Sequence, residues 1–439
     1  MQRKIRGLYT RHLTLLGTLA LSMSMGGCLG VDSDAAERLD AATAVMDQGL
    51  APQMDATAPT PGGDAGEPAP LPNTDGGTPD PSADGGGTPD ARPSPSPDMG
   101  TPPPDGPLLF IVAGQSNAEG NAFYTGLELL SRELPMGDAP LSAAERDAAR
   151  VLIARSQGGW CSAEDVRDNT ADTVIDHLRT TDLDWRSFDL DYRHPSVRIR
   201  AQQYDYAPVI VRAASGEEVP RCEDCDEGDC LLSAEDGVLE GPPLNLYTDA
   251  RWAPLAVGYG IAEDPEEGKS YGPELAFGHA VGQTYPDALL FKMAMGGSSL
   301  GDHWRLDGPL YAAFIEGISA ALTEHGATLG GFVWFQGFND QFESAYCEAL
   351  TPAYQGNLQA FIEAVRRDLG QPVPTVIVKA RNGGNLERIQ RAQDAVAAAL
   401  EQVETVETRD TSECFHYDSG AMIVIGERAA QAMLGLRAR

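Results

Sequence analysis

From residue 271 to residue 436 the chain alternates short apolar runs with segments whose apolar residues recur at helical spacing. This alternation limits the fold more than any other feature of the sequence. Residues 273–282 read as a helix with proline in its first turn. Residues 288–295 read as a strand that ends in Gly296-Gly297-Ser298-Ser299. Leu310, Phe314, Ile318 and Leu322 mark a helix over 310–325. The next strand, 331–335, ends in Gln336-Gly337-Phe338-Asn339-Asp340. A helix over 357–369, a strand over 375–379, a helix over 386–400, a strand over 403–407 and a helix over 419–436 follow. Strand then helix, repeated, predicts a three-layer α/β/α sandwich with a mainly parallel sheet. Its crossovers are expected to be right-handed.

One more strand precedes this series. Leu108-Leu109-Phe110-Ile111-Val112-Ala113 is a continuous apolar run, the mark of a buried strand. It stops at Gly114-Gln115-Ser116-Asn117, small and polar. In an open parallel sheet the C-terminal ends of the strands share one edge, and ligands bind there. Ser116, Gly296-Gly297, Asn339 and His416 each stand at the end of an element or just before one. Residues far apart in sequence are thereby expected to converge.

Their chemistry is that of acyl transfer, which needs a nucleophile, a base and donors for an oxyanion. Ser116 is the candidate nucleophile and His416 the candidate base. Glu413 is the candidate acid to orient His416, with Asp410, Asp418 or a backbone carbonyl as alternatives. The backbone N–H groups of Ser116 and of Gly296 or Gly297, with the Asn339 amide, are the candidate oxyanion hole. Gln115, Gln336 and Trp304 are candidate substrate-binding residues; Trp304 reads as a core indole or, following a site loop, as a platform for a sugar face. This chemistry requires no metal and no cofactor.

Here a resemblance enters. Gly114-Gln115-Ser116-Asn117-Ala118-Glu119-Gly120 resembles the first block of the sialate O-acetylesterase and acetyl xylan esterase group of the SGNH hydrolase superfamily. Ala118 replaces the group's usual Met. Lys292-Met-Ala-Met-Gly296-Gly297-Ser298-Ser299-Leu300, followed by Trp304, is similar to its second block. Gln336-Gly337-Phe338-Asn339-Asp340 resembles its third, with Phe338 in place of a Glu. Glu413-Cys414-Phe415-His416 stands where the group has Asp-x-x-His. The resemblance covers roughly residues 107–125 and 255–436. It implies a flavodoxin-like SGNH fold and a carbohydrate acetylesterase, with acetylated polysaccharide or glycan as its partner. A non-catalytic glycan-binding module and an esterase or lipase of other acyl specificity are the alternatives.

The rest of the chain sets the compartment and the domain plan. Residues 1–28 form an expected lipoprotein signal peptide: Arg3, Lys4, Arg6 and Arg11 make a basic start, and residues 13–25 an apolar stretch too short to span a bilayer. Met25-Gly26-Gly27-Cys28 resembles a lipobox, so Cys28 is the expected lipidation site and Leu29 after it favours the outer membrane. Residues 29–105 are rich in Pro, Gly and Asp without apolar period, a composition that cannot offset ordering entropy. As a flexible tether they would span on the order of 50 Å. The esterase domain is expected over 106–439, with a long irregular insertion at about 155–250.

Six cysteines remain beyond Cys28: Cys161, Cys222, Cys225, Cys230, Cys347 and Cys414. An even number in an exported chain points to disulfides rather than zinc. The run Glu223–Asp229 is read as a solvated acidic loop rather than a calcium site. Lys+Arg number 32 against 65 Asp+Glu, a net charge of -33. That excludes nucleic acid as a partner and leaves the lipid anchor as the membrane contact.

Overall fold

The computed structural model describes residues 106–156, 168–213, 215–216, 218–219, 237–261, 269–342, 344–345, 349–379, 386–411 and 416–439. The expected signal peptide, Cys28, the linker, the six other cysteines, the acidic run 223–229 and Glu413 lie outside them.

The chain enters the sheet through β1 (Leu108–Gly114), followed by a four-residue helix α1 (Ser116–Glu119), β2 (Ala122–Phe123), α2 (Tyr124–Glu133) and α3 (Ala143–Arg155). Ser142 caps α3: its hydroxyl accepts from Glu145 N, and the Glu145 carboxylate accepts from Ser142 N in return. Next come α4 (Asp168–Thr180), β3 (Arg198–Tyr204), β4 (Ile210–Ala213), β5 (Glu218–Val219), β6 (Gly237–Glu240), β7 (Ala253–Pro254) and β8 (Ser270–Tyr271). Regular alternation then runs to the end: α5 (Glu274–Thr284), β9 (Leu289–Met295), α6 (Pro309–His325), β10 (Thr328–Phe335), α7 (Tyr354–Asp368), β11 (Thr375–Val378), α8 (Leu386–Ala399), β12 (Val403–Val406) and α9 (Ser419–Arg437). Pro309 opens α6, and Gly326 closes it in the left-handed region at φ 58°.

The main sheet has the order β12-β11-β10-β1-β9-β3-β7. Every pairing is parallel except that of β3 with the edge strand β7. β1 lies between β9 and β10 and is buried along its whole length. Its side chains alternate between two cores. Leu108, Phe110 and Val112 join α2–α5 and α9 on one face, and Leu109, Ile111 and Ala113 join α6–α8 on the other. Each such buried Leu, Ile or Phe contributes about 1.5–3 kcal/mol of transfer free energy. The sandwich is therefore a mixed α/β fold with a mainly parallel sheet and helices on both sides, as the alternation predicts.

One expectation needs correcting. Residues 155–250 are not one irregular insertion. Helix α4 packs in the first core through Val174, Ile175 and Leu178, and β3 is a full member of the main sheet beside β9. The segment beyond β3 does depart from the sandwich. It forms a separate three-stranded antiparallel sheet in the order β5-β4-β6.

Candidate active site

The chain crosses from β9 on one side of β1 to β10 on the other, so the sheet's switch point lies at the C-terminal ends of these three strands. Each end supplies one part of the site. β1 ends at Gly114, where φ is 151° and an added Cβ would stand 2.1 Å from the Phe335 carbonyl oxygen. Only glycine allows that approach. Gln115 N then donates to Phe335 O at 3.2 Å, pinning the turn to the end of β10. Ser116 opens α1, and its carbonyl accepts from Gly120 N at 2.9 Å and from Asn121 Nδ2 at 2.7 Å.

His416 comes from the loop before α9, whose start is capped by Asp418 through Ala421 N at 2.8 Å. The imidazole is 6% exposed. Its Nε2 lies 3.0 Å from Ser116 Oγ, across 300 positions of sequence. That is within proton-transfer reach for a hydroxyl and an imidazole.

The third and fourth parts follow β9 and β10. Gly296 and Gly297 succeed β9, Gly297 in the left-handed region at φ 71°. Asn339 Nδ2 donates to Gly297 O at 2.5 Å, while Asn339 Oδ1 accepts from Gln115 Nε2 at 3.1 Å. Gln115 Oε1 accepts from the N–H groups of Gly337 at 3.2 Å, Phe338 at 3.0 Å and Asn339 at 3.4 Å. Asp340, fully buried, accepts from Leu300 N at 2.8 Å, Gly301 N at 3.0 Å and Gln336 Nε2 at 2.5 Å. Burial pushes the Asp340 carboxyl up to about 6 against the pull of those donors. The loops after β1, β9 and β10 are thus bonded to one another, and Ser116, Gly296-Gly297, Asn339 and His416 meet at one edge.

Other candidates have different roles. Trp304 does not face a substrate. It is fully buried, donates Nε1 to Ser298 Oγ at 2.9 Å, and packs edge-on against Trp334, Phe314 and Phe361. Gln336 is 2% exposed and bonds to Asp340 and to Ser298 O. Gln115 is likewise 2% exposed and engaged with the Asn339 loop. All three hold the site's loops in place instead of lining it. Asp410, an alternative acid, is paired with Arg428 at 2.7 Å and 2.8 Å. Asp418, the other, is 2% exposed and caps α9; burial pushes its carboxyl up to about 7. His303 is 6% exposed, and its Nδ1 accepts from Ser299 N at 3.2 Å.

Further residues at the site escaped the sequence reading. Glu119, one turn after Ser116, is 7% exposed and accepts a bond from the Tyr247 hydroxyl. Its Oε2 lies 2.6 Å from where a Cβ on Gly296 would stand, so any side chain there would displace the Glu119 carboxylate. Burial raises its pKa. Lys292, inside β9, is fully buried and pairs with the equally buried Glu274 at 2.8 Å. Its Nζ also donates to Glu119 O at 2.8 Å and so ties the end of α1 to the sheet. A lysine between Phe291 and Met293 in an apolar strand was the readable signal of a buried cation.

Beside Asn339 and Gly297 opens a cavity of about 680 Å³. Tyr206, Asp302, His303, Phe342 and Arg388 are among its walls. Among the described residues, no group of His, Cys, Asp and Glu is arranged to hold a metal ion.

Residues 241–435 match the sequence model of a carbohydrate esterase family, the sialic acid-specific acetylesterases. The match holds Gly296, Gly297, Asn339 and His416 but starts after Ser116. No curated protein matches. Among solved structures the chain is similar to an Arabidopsis thaliana protein, at 16% identity and a TM-score of 0.43, over 75% of this chain and 98% of that one. It is also similar to a carbohydrate acetylesterase from Xanthomonas citri, at 14% identity and a TM-score of 0.36, over 74% of this chain. The chain spans 55% of the length of that enzyme.

Proposed function

We infer that this chain, whose residues 241–435 carry a carbohydrate-esterase domain, is a serine esterase that removes O-acetyl groups from carbohydrate. The observation that carries the reading is the 3.0 Å contact between Ser116 Oγ and His416 Nε2. In this mechanism His416 takes the Ser116 proton as Oγ attacks the acetyl carbon. The oxyanion that forms accepts from the Ser116 N–H, from the N–H of Gly296 or Gly297, and from the Asn339 amide. The amide bond to Gly297 O uses one Nδ2 hydrogen, which leaves the second for the oxyanion. His416 returns its proton to the leaving sugar hydroxyl. Water, with His416 again as base, then releases acetate from Ser116. In this proposal Glu413 orients the imidazole, since Asp410 and Asp418 are engaged elsewhere.

The reading extends to location. A lipid on Cys28 and the tether that follows would hold the domain away from an outer membrane, where acetylated glycans are within reach.

Acetate release from acetylated xylan and from O-acetyl sialic acid tests the proposal, with the Ser116→Ala protein alongside. The native chain is expected to release acetate, and the variant to lose at least about a thousandfold, because nucleophile and base act as a unit. Equal rates for the two proteins would overturn the reading.

A further inference from the structure

The cavity beside Asn339 and Gly297 is far larger than an acetyl group. Its volume of about 680 Å³ falls in the range of about 300–1,000 Å³ typical of pockets that take ligands of drug size. Ser116 and His416 are not among its walls, so it adjoins the reacting bond without enclosing it. If the esterase reading holds, what remains of the substrate beyond the acetyl group is the sugar that leaves.

Two walls carry groups suited to a sugar. Tyr206 is 53% exposed. One part of its ring rests on Gly297, 2.9 Å from where a Cβ would stand, and it is tilted by 36° against the His303 ring at 5.7 Å. The ring is thus held from behind while keeping an open surface. Such a surface suits the C–H face of a pyranose. Asp302 is 8% exposed. One of its oxygens accepts from Ala345 N at 3.0 Å, and the other has no protein partner among the described residues. A buried carboxylate with an open acceptor suits a sugar hydroxyl.

The same carboxylate discriminates by charge. A ligand carboxylate placed near the buried Asp302 meets repulsion that water screens poorly, offset only in part by Arg305, which is itself paired with Asp307. Arg388, the cation among the described wall residues, is exposed and solvated, and attraction to such a group is weak. The net charge of -33 adds to the bias.

We propose that this cavity seats the acetyl-bearing sugar, with Tyr206 as its stacking platform and Asp302 as a hydroxyl acceptor, and that it takes a neutral pyranoside in preference to a sialate or other acid sugar. The proposal rests on the esterase reading and narrows its substrate class. Tyr206 belongs to the segment between β3 and β4, so specificity comes from outside the sandwich.

Steady-state kinetics on three esters test it: acetylated xylotetraose, O-acetyl sialic acid and para-nitrophenyl acetate. The native chain is expected to favour the xylotetraose over the sialate by at least about tenfold in kcat/KM. Tyr206→Ala raises KM for the xylotetraose by about tenfold and changes kcat less, a size set by one aromatic stacking contact. Its loss in kcat/KM is larger on the saccharide than on the small ester, and Tyr206→Phe restores the native value. Asp302→Asn weakens the xylotetraose and narrows the gap to the sialate. Thermal melts establish that both variants fold; if Asp302→Asn does not, the Tyr206 series decides alone. A native preference for the sialate, or Tyr206→Ala losses equal on saccharide and small ester, would overturn the proposal. No hydrolysis of any of the three would overturn the esterase reading and this one with it. Turnover of the small ester with no dependence on the sugar would overturn this one alone.

Discussion

Gln115 and Asn339, 224 positions apart, are bonded side chain to side chain, Nε2 to Oδ1 at 3.1 Å. Gln115 directly precedes the candidate nucleophile, and Asn339 is a candidate oxyanion donor. The pair therefore fixes the distance between two groups that must act on the same carbonyl. Asn339 is bonded at both ends, to Gln115 and to Gly297 O, which sets the direction of its remaining N–H before any substrate arrives. Preorganisation of this kind makes such donors effective.

Removing Gln115 tests that coupling. Gln115→Ala leaves the N–H groups of Gly337, Phe338 and Asn339 without their acceptor. A buried donor left unsatisfied costs about 1–3 kcal/mol, so the melting temperature falls. The rate on acetyl esters is expected to fall by roughly a hundredfold, mainly in kcat, as one oriented donor is lost. Gln115→Glu keeps an acceptor for the three N–H groups but no donor for Asn339. Once that buried carboxyl is ionised it repels Asn339 Oδ1, so the variant is expected to stay below native stability and not to recover rate. A Gln115→Ala protein with native kcat would show that Asn339 needs no such support.

Asn339 itself gives a sharper outcome. Asn339→Ala removes one oxyanion donor, and kcat should fall by about 10²–10³ with KM little changed. Initial rates across a concentration series separate the two constants. A loss confined to KM would assign Asn339 to substrate binding instead.

Much of this was legible in the sequence, for a physical reason. Strands buried on both faces, such as β1 and β9, read as unbroken apolar runs, and the helices between them carry the 3.6-residue period. The strand β3 was not legible. Arg198-Ile-Arg-Ala-Gln-Gln-Tyr204 is polar at alternate positions because one face is partly open, and its buried Gln203 reaches across to donate to Glu119 O at 2.8 Å. The four blocks announced which residues would gather, since each stands at the end of an element. What the blocks could not tell is whether an amide faces ligand or loop. Gln115 and Gln336 have the same groups in either role, and only the fold decides. Trp304 misled for a similar reason: an indole after a glycine-rich turn suits a sugar platform and a core equally well.

That last distinction is measurable. Trp304 is fully buried among Trp334, Phe314 and Phe361. Trp304→Ala is expected to cost about 3–5 kcal/mol of stability in urea melts, the range for removing a large core aromatic. Trp304→Phe, which keeps most of the packing but not the bond to Ser298 Oγ, should cost less and leave KM for an acetylated saccharide within about twofold. A large KM change with full stability would return Trp304 to the binding surface.

The pH dependence of stability follows from His303. Burial pushes this imidazole down from its ordinary 6.5 to about 4, so it stays neutral in the folded chain over that interval. The unfolded chain binds a proton there that the folded chain does not. Stability from this group is then fully present above pH 6.5, is lost as pH falls from 6.5 to about 4, and changes no further below. A shift of this size corresponds to about 3 kcal/mol at most. Asp340 and Asp418 act the other way. Their carboxyls are pushed up from 3.8 to about 6 and about 7, so they stabilise the fold at low pH and lose that contribution as pH rises. The native chain shows the sum of these opposing slopes, and a comparison isolates the histidine. His303→Asn keeps an acceptor for Ser299 N where Nδ1 now stands, but has nothing to titrate. Urea melts at intervals from about pH 4 to pH 7 should show the native chain's stability, relative to the variant, rising with pH by about 2–3 kcal/mol. A difference that stays constant across the range would mean that His303 is as free to take a proton in the folded chain as in the unfolded one.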